Sequence, residues 1–166
     1  MLQTDFDTAK SQSNLMPRGT IVKVKMAIKP GNYEDWYTKS YATGSIYFDA
    51  EFTVVEGPYI NQKIYQAIGV KSDKAEGAED VWREMGRSMI RSILESARNI
   101  HPHDTSEKAM LARKLNSIAD LNGLEFTAKV GVEADSRYGN RNKITTIITP
   151  DEFQSNKPQK SDWMPF

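Results

Sequence analysis

The 166-residue chain contains no cysteine, which excludes a disulfide scaffold, a thiol nucleophile and a thiolate metal site and fits a reducing cytoplasm. It has only two histidines, His101 and His103, so a metal site would depend on scattered carboxylates and none is expected. No Gly-x4-Gly-Lys-Ser/Thr loop occurs, which argues against an ATPase. No apolar run is long enough to cross a bilayer, and Asp5 and Asp7 stand where a secretory signal needs positive charge. A soluble, intracellular protein with no membrane partner is expected. Net charge is also missing, with 22 basic residues against 22 acidic ones. Affinity for nucleic acid would have to come from a local patch.

What is present is a clear change of period. Residues 1–18 are polar, end near Pro17 and read as a flexible arm. Val22, Val24, Met26 and Ile28 then alternate with Ile21, Lys23, Lys25, Ala27 and Lys29, which predicts a half-buried strand. Pro30-Gly31-Asn32 stops it. A second strand is predicted through Ile46, Phe48, Ala50, Phe52 and Val54, and a third through Ile64, Ile68 and Val70. From Trp82 to Ala97 the apolar residues recur every three or four positions, predicting an amphipathic helix over about 78–99. Gly86 inside it costs roughly 1 kcal/mol against alanine, a sign of close packing. Asp104 and Glu107 suggest a capping box for a second helix, which leads to Leu121-Asn122-Gly123. Two strands follow, through Phe126, Ala128 and Val130 and then residues 144–148, joined at Gly139-Asn140.

The expected fold is therefore mainly β with a helical insert at about 78–121, in the order β-β-β-α-α-β-β. That connectivity suits a five-stranded OB-fold barrel spanning residues 19–150, although a five-stranded sheet capped by helices gives the same string. In an OB-fold the loops between strands one and two, and between strands four and five, meet oligonucleotides. The first loop holds Tyr33, Trp36, Tyr37, Lys39 and Tyr41, with Tyr47 just beyond, so four of the seven tyrosines fall within residues 33–47. Such rings can stack on unpaired bases or fold back as a loop mini-core, and folding back is expected for two of them. The second loop, residues 135–143, offers Arg137, Tyr138, Arg141 and Lys143 as a basic finger or, equally, a solvated hairpin turn. Both loops are expected at one end of the barrel, with Tyr65 and Lys129 extending the face.

Weaker features have blander explanations. Lys23, Lys25 and Lys29 would pair across strands with Asp49 and Glu51. Arg83, Arg87, Arg91 and Arg98 share one side of the long helix, and Glu79 and Glu95 lie four residues from Arg83 and Arg91. A solvated, salt-bridged face is expected there rather than a phosphate track. Asp49 with Glu51, or Glu133 with Asp135, could hold magnesium as in a nuclease, but no third ligand completes either pair. The chain is not expected to be an enzyme and implies no cofactor.

Residues 154–161 carry no apolar side chain except one proline, so residues 151–166 read as a disordered tail. The tail finishes in Asp162, Trp163, Met164, Pro165 and Phe166, an apolar docking motif with a carboxylate for an Arg or Lys beside its pocket. It resembles the Pro-Phe tail with which bacterial single-stranded-DNA-binding proteins (SSBs) recruit replication and repair enzymes. It departs from that pattern in having one acid, Asp162, with Lys157 and Lys160 nearby. Residues 52–59, the following helix, residues 121–126 and residues 141–144 are similar to OB-fold SSBs of phages and mobile elements. The resemblance covers residues 19–149. It implies a non-enzymatic protein of the bacterial host cytoplasm that coats single-stranded DNA during replication and recombination and recruits partner enzymes. RNA as an alternative ligand and a homodimer are both compatible with it. The competing expectation is a protein-interaction or virion-assembly domain without DNA affinity.

Overall fold

A computed structural model describes residues 4–7, 15–73, 80–135 and 139–150. The element order is β1 (Ile21–Lys29), β2 (Thr38–Lys39), β3 (Ile46–Val54), β4 (Lys63–Lys71), α1 (Val81–Ala97), α2 (Glu107–Ala112), a 3-10 turn (Ile118–Leu121), β5 (Glu125–Asp135) and β6 (Gly139–Ile148). The mainly β expectation and the position of the helical insert hold. The strand count is six rather than five, because the segment taken as an unpatterned loop contains β2.

All the strand pairs are antiparallel. β1 lies between β3 and β5, β4 adds to β3, and β6 adds to β5. The short β2 takes up the edge of β3 at Ile46 and Tyr47, just past the point where β1 ends opposite Asp49. This leaves β4 and β6 as the outermost strands. They approach each other beside α1, where Ile144 N donates to Gln66 Oε1 at 3.0 Å.

Burial follows the alternation written in the sequence. Val22, Val24, Met26 and Ile28 of β1 face Phe48, Ala50, Phe52 and Val54 of β3 and Phe126, Ala128 and Val130 of β5 in one core. Phe52 and Phe126 meet edge to face, with ring centroids 5.7 Å apart, a favoured geometry for aromatic pairs. Met16 belongs to this core as well and is only 1% exposed. Asn142 holds it there, accepting from Met16 N at 2.9 Å and donating to Met16 O at 2.9 Å and Gly131 O at 3.0 Å. The arm drawn as residues 1–18 is thus too long, since its last residues are part of the folded unit.

Helix α1 begins at Asp80, whose side chain accepts from Arg83 N. Hydrogen bonds from Ser72 N and then Arg83 N hold the Asp80 carboxyl below the usual carboxylate range. The chain leaves the helix through Asn99, at a left-handed φ of 56° that asparagine tolerates. Gly86 and Gly69 of β4 explain the glycine inside the helix. A Cβ at 86 would collide with the Gly69 carbonyl, and one at 69 with the Trp82 indole. Helix and strand therefore touch backbone to backbone.

The expected capping box at Asp104 and Glu107 is not formed. Ser106 caps α2, accepting from Ala109 N, while Asp104 Oδ1 accepts from Ser106 N one turn earlier. Those bonds from Ser106 keep the Asp104 carboxyl below its ordinary range. A capping box does occur at the 3-10 turn, between Ser117 and Asp120.

Candidate nucleic-acid interface

The segment between β1 and β3 is a folded hairpin. Tyr33 and Tyr37 exchange backbone hydrogen bonds, each 3.0 Å, around a turn in which Glu34 and Asp35 take positive φ. Asn32 braces its base, accepting from Lys39 N at 2.7 Å and donating to Lys39 O at 3.2 Å. Gly31 is required because a Cβ there would overlap the Tyr37 carbonyl. The hairpin sorts its rings into two kinds. Trp36 and Tyr37 fold back against the core, Tyr37 stacking on Phe48 at 5.1 Å. Tyr47 is half-buried, 6.5 Å from the Trp82 ring. Tyr33 is 37% exposed and Tyr41 is 95% exposed. The Lys39 ammonium sits 5.5 Å from the centre of the Tyr33 ring, within cation–π range. Tyr33, Lys39 and Tyr41 are thus the members of the set that face solvent.

The second loop is shorter than expected. β5 runs to Asp135 and β6 starts at Gly139, and Arg137 and Tyr138 lie outside the described residues. Arg141 and Lys143 are on strand β6, not in a finger. Both approach Glu133, at 3.1 Å and 3.9 Å, so part of their charge is offset within the hairpin. The two loops also leave opposite ends of the sheet. Lys29 leads into the first, whereas β5 pairs with Ile21 through Lys129 and runs on past the start of β1 towards the second. Expecting both at one end ignored that β5 runs antiparallel to β1.

Between them lies the outer face of β1, β3, β4 and β5. Tyr65 is 45% exposed there, and the Lys29 ammonium stands 4.5 Å from its ring centre. Lys129 shares this face, opposite the exposed Ile21. The ion pairs differ from the expected set. Glu51 pairs with Lys63 at 3.1 Å and Lys23 with Glu125 at 3.7 Å, while Lys29 takes the tyrosine. Glu51 and Glu133, considered above as magnesium ligands, both have cationic partners.

Sequence reading missed the character of the α1 face. Glu95 was expected in solvent, yet it is 2% exposed. Its Oε2 accepts from Arg91 Nε at 3.0 Å and from Arg113 Nε at 2.7 Å. Arg113 Nη2 also donates to the carbonyls of His101 and Pro102, both at 3.2 Å, and Arg98 donates to those of Ala112 and Lys114. The helix thus holds the α2 segment through arginines. Only the four-residue repeat of Arg83, Arg87 and Arg91 signalled this face in sequence, and nothing local pointed to Arg113.

Asp162, Trp163, Met164, Pro165 and Phe166 lie outside the described residues. No helix among those described is long and apolar enough to cross a membrane. No protein-family model matches the chain, and no curated protein matches it significantly.

Proposed function

We propose that the chain is a non-enzymatic, largely sequence-independent single-stranded-DNA-binding protein acting in replication or recombination. The OB-fold reading is supported by the strand order β4-β3-β1-β5-β6 and by the helical insert between β4 and β5. The observation that carries the functional reading is the pairing of exposed rings with lysines. Tyr33 has Lys39, Tyr65 has Lys29, and Tyr41 is almost fully exposed. Rings beside cations suit bases and phosphates of an unpaired strand, because every base has a stackable face and every nucleotide a charge.

Titration of the full chain with labelled single- and double-stranded oligonucleotides tests this. Single strands should bind much more tightly than duplex, with little dependence on base sequence. Affinity should fall with salt with a log–log slope of roughly −0.7 per phosphate neutralised. Equal affinity for duplex, or no binding at low salt, overturns the proposal and leaves a protein-interaction domain. RNA of the same sequence measures the preference between the two nucleic acids.

Partner recruitment belongs to the same proposal and rests on the segment from Asp162 to Phe166. Burying the Phe166 ring in a partner's pocket would contribute roughly 1.5–3 kcal/mol. Phe166→Ala should therefore abolish capture of replication or repair enzymes from bacterial lysate while leaving DNA affinity unchanged. Identical sets of captured enzymes with and without the ring would remove the recruiting role.

A further inference from the structure

Beside the hairpin rings runs a groove of about 660 Å³ between α1, β4 and the α2 segment. Its walls are apolar at Tyr37, Ile90 and Leu115, and Arg83, Arg87, Arg91 and Arg113 line it. We propose that this groove is a second contact surface for the single strand, with phosphates on Arg87 and Arg91 and the sugars and bases against the apolar wall. The inference rests on the single-stranded-DNA reading above and adds to the outer face a track that an OB barrel does not by itself supply.

Charge supports it first. The four arginines face two carboxylates, Glu84 and Glu95, which leaves a surplus of two positive charges. Low-dielectric walls concentrate such a surplus. Glu95 is spent on two guanidiniums at once and fixes where they stand. Arg83 pairs with its exposed neighbour Glu84, a contact of little energetic weight. Arg87 is exposed and has no ion-pair partner among the described residues.

Spacing supports it next. Arg83, Arg87 and Arg91 follow at four-residue intervals, a step of about 6 Å along the helix. That suits successive phosphates of an extended strand, and each guanidinium can fork onto phosphate oxygens. The groove adjoins the pocket beside Tyr33, with Tyr37 and Arg83 lining both, so a strand held on the hairpin ring lies next to it. At the Tyr33 end Glu34 and Asp80 balance Lys71 and Arg83, so the positive surplus lies in the stretch from Arg87 to Arg113.

The test uses the full chain and oligothymidylate. Arg87→Ala removes an exposed side chain without an ion-pair partner, so the fold should survive. The salt slope should become shallower by about 0.7, one phosphate's share, and Arg87→Lys should restore it. In the unsubstituted protein, the Arg87 Nε–H resonance should shift as oligothymidylate is added. An unchanged slope and an unmoved resonance, while Tyr41→Ala still weakens binding, would overturn the groove and leave the DNA reading intact. No oligonucleotide binding at all would overturn both. A polyglutamate peptide that moves the Arg87 resonance when oligothymidylate does not would assign the groove to acidic protein instead.

Discussion

Glu95→Ala should lower stability by about 3–5 kcal/mol, the range for removing one partner from a buried charge cluster. The carboxylate is almost fully enclosed and serves two guanidiniums. Their fates differ once it is gone. Arg91, with a side chain 55% exposed, can turn into water, whereas Arg113, at 13%, stays confined between α1 and the carbonyls of His101 and Pro102. The cost therefore comes mainly from an uncompensated Arg113. Arg91→Ala should cost much less, since it leaves the pair between Glu95 and Arg113 in place. Urea denaturation of the three proteins measures the difference. Stability typically totals about 5–15 kcal/mol, so the Glu95 variant should show a plainly lower midpoint. A loss no larger than that of Arg91→Ala would mean that Arg113 finds other partners when Glu95 is removed.

Tyr41→Ala should weaken single-strand binding by roughly 1–3 kcal/mol, about five- to 150-fold, if one base stacks on that ring. Its 95% exposure means that nothing in the fold depends on the ring, so thermal stability should not change. Trp36→Ala should behave differently. Trp36 packs against the core, and its loss should reduce stability with any binding defect following from a loosened hairpin. In neither variant should the salt slope change, because no charge is removed. Oligonucleotide titration alongside thermal unfolding separates the two. A Tyr41 variant that binds normally would move the stacking role to Tyr33 and Tyr65, or remove it.

The aromatic hairpin shows where sequence reading stops. Composition identified residues 33–47 as unusual, and the expectation that two of the rings fold back agrees with Trp36 and Tyr37. Which two could not be read, because no strand or helix period runs through Trp36, Tyr37 and Tyr41. The choice depends on Gly31 admitting the Tyr37 carbonyl and on Asn32 bracing Lys39, contacts that exist only once the hairpin closes. Lys29 is similar. Its register partner on β3 is the acidic Asp49, as expected, but the side chain reaches the Tyr65 ring of β4 instead.

By itself the sequence determined the strands β1, β3, β4, β5 and β6, the helix α1 and the position of the helical insert. Alternation and the three-to-four repeat are local properties, and burial of one face follows from them directly. The absence of cysteine likewise excluded thiol chemistry without reference to any fold. Tertiary structure alone decided that Met16 belongs to the core, that Glu95 is buried between two arginines, and that the two loops leave opposite ends of the sheet. Each of these joins residues far apart in the chain, such as Met16 with Asn142 and Glu95 with Arg113. A side chain's partners depend on register and on what packs above it, and neither is encoded in the residues next to it.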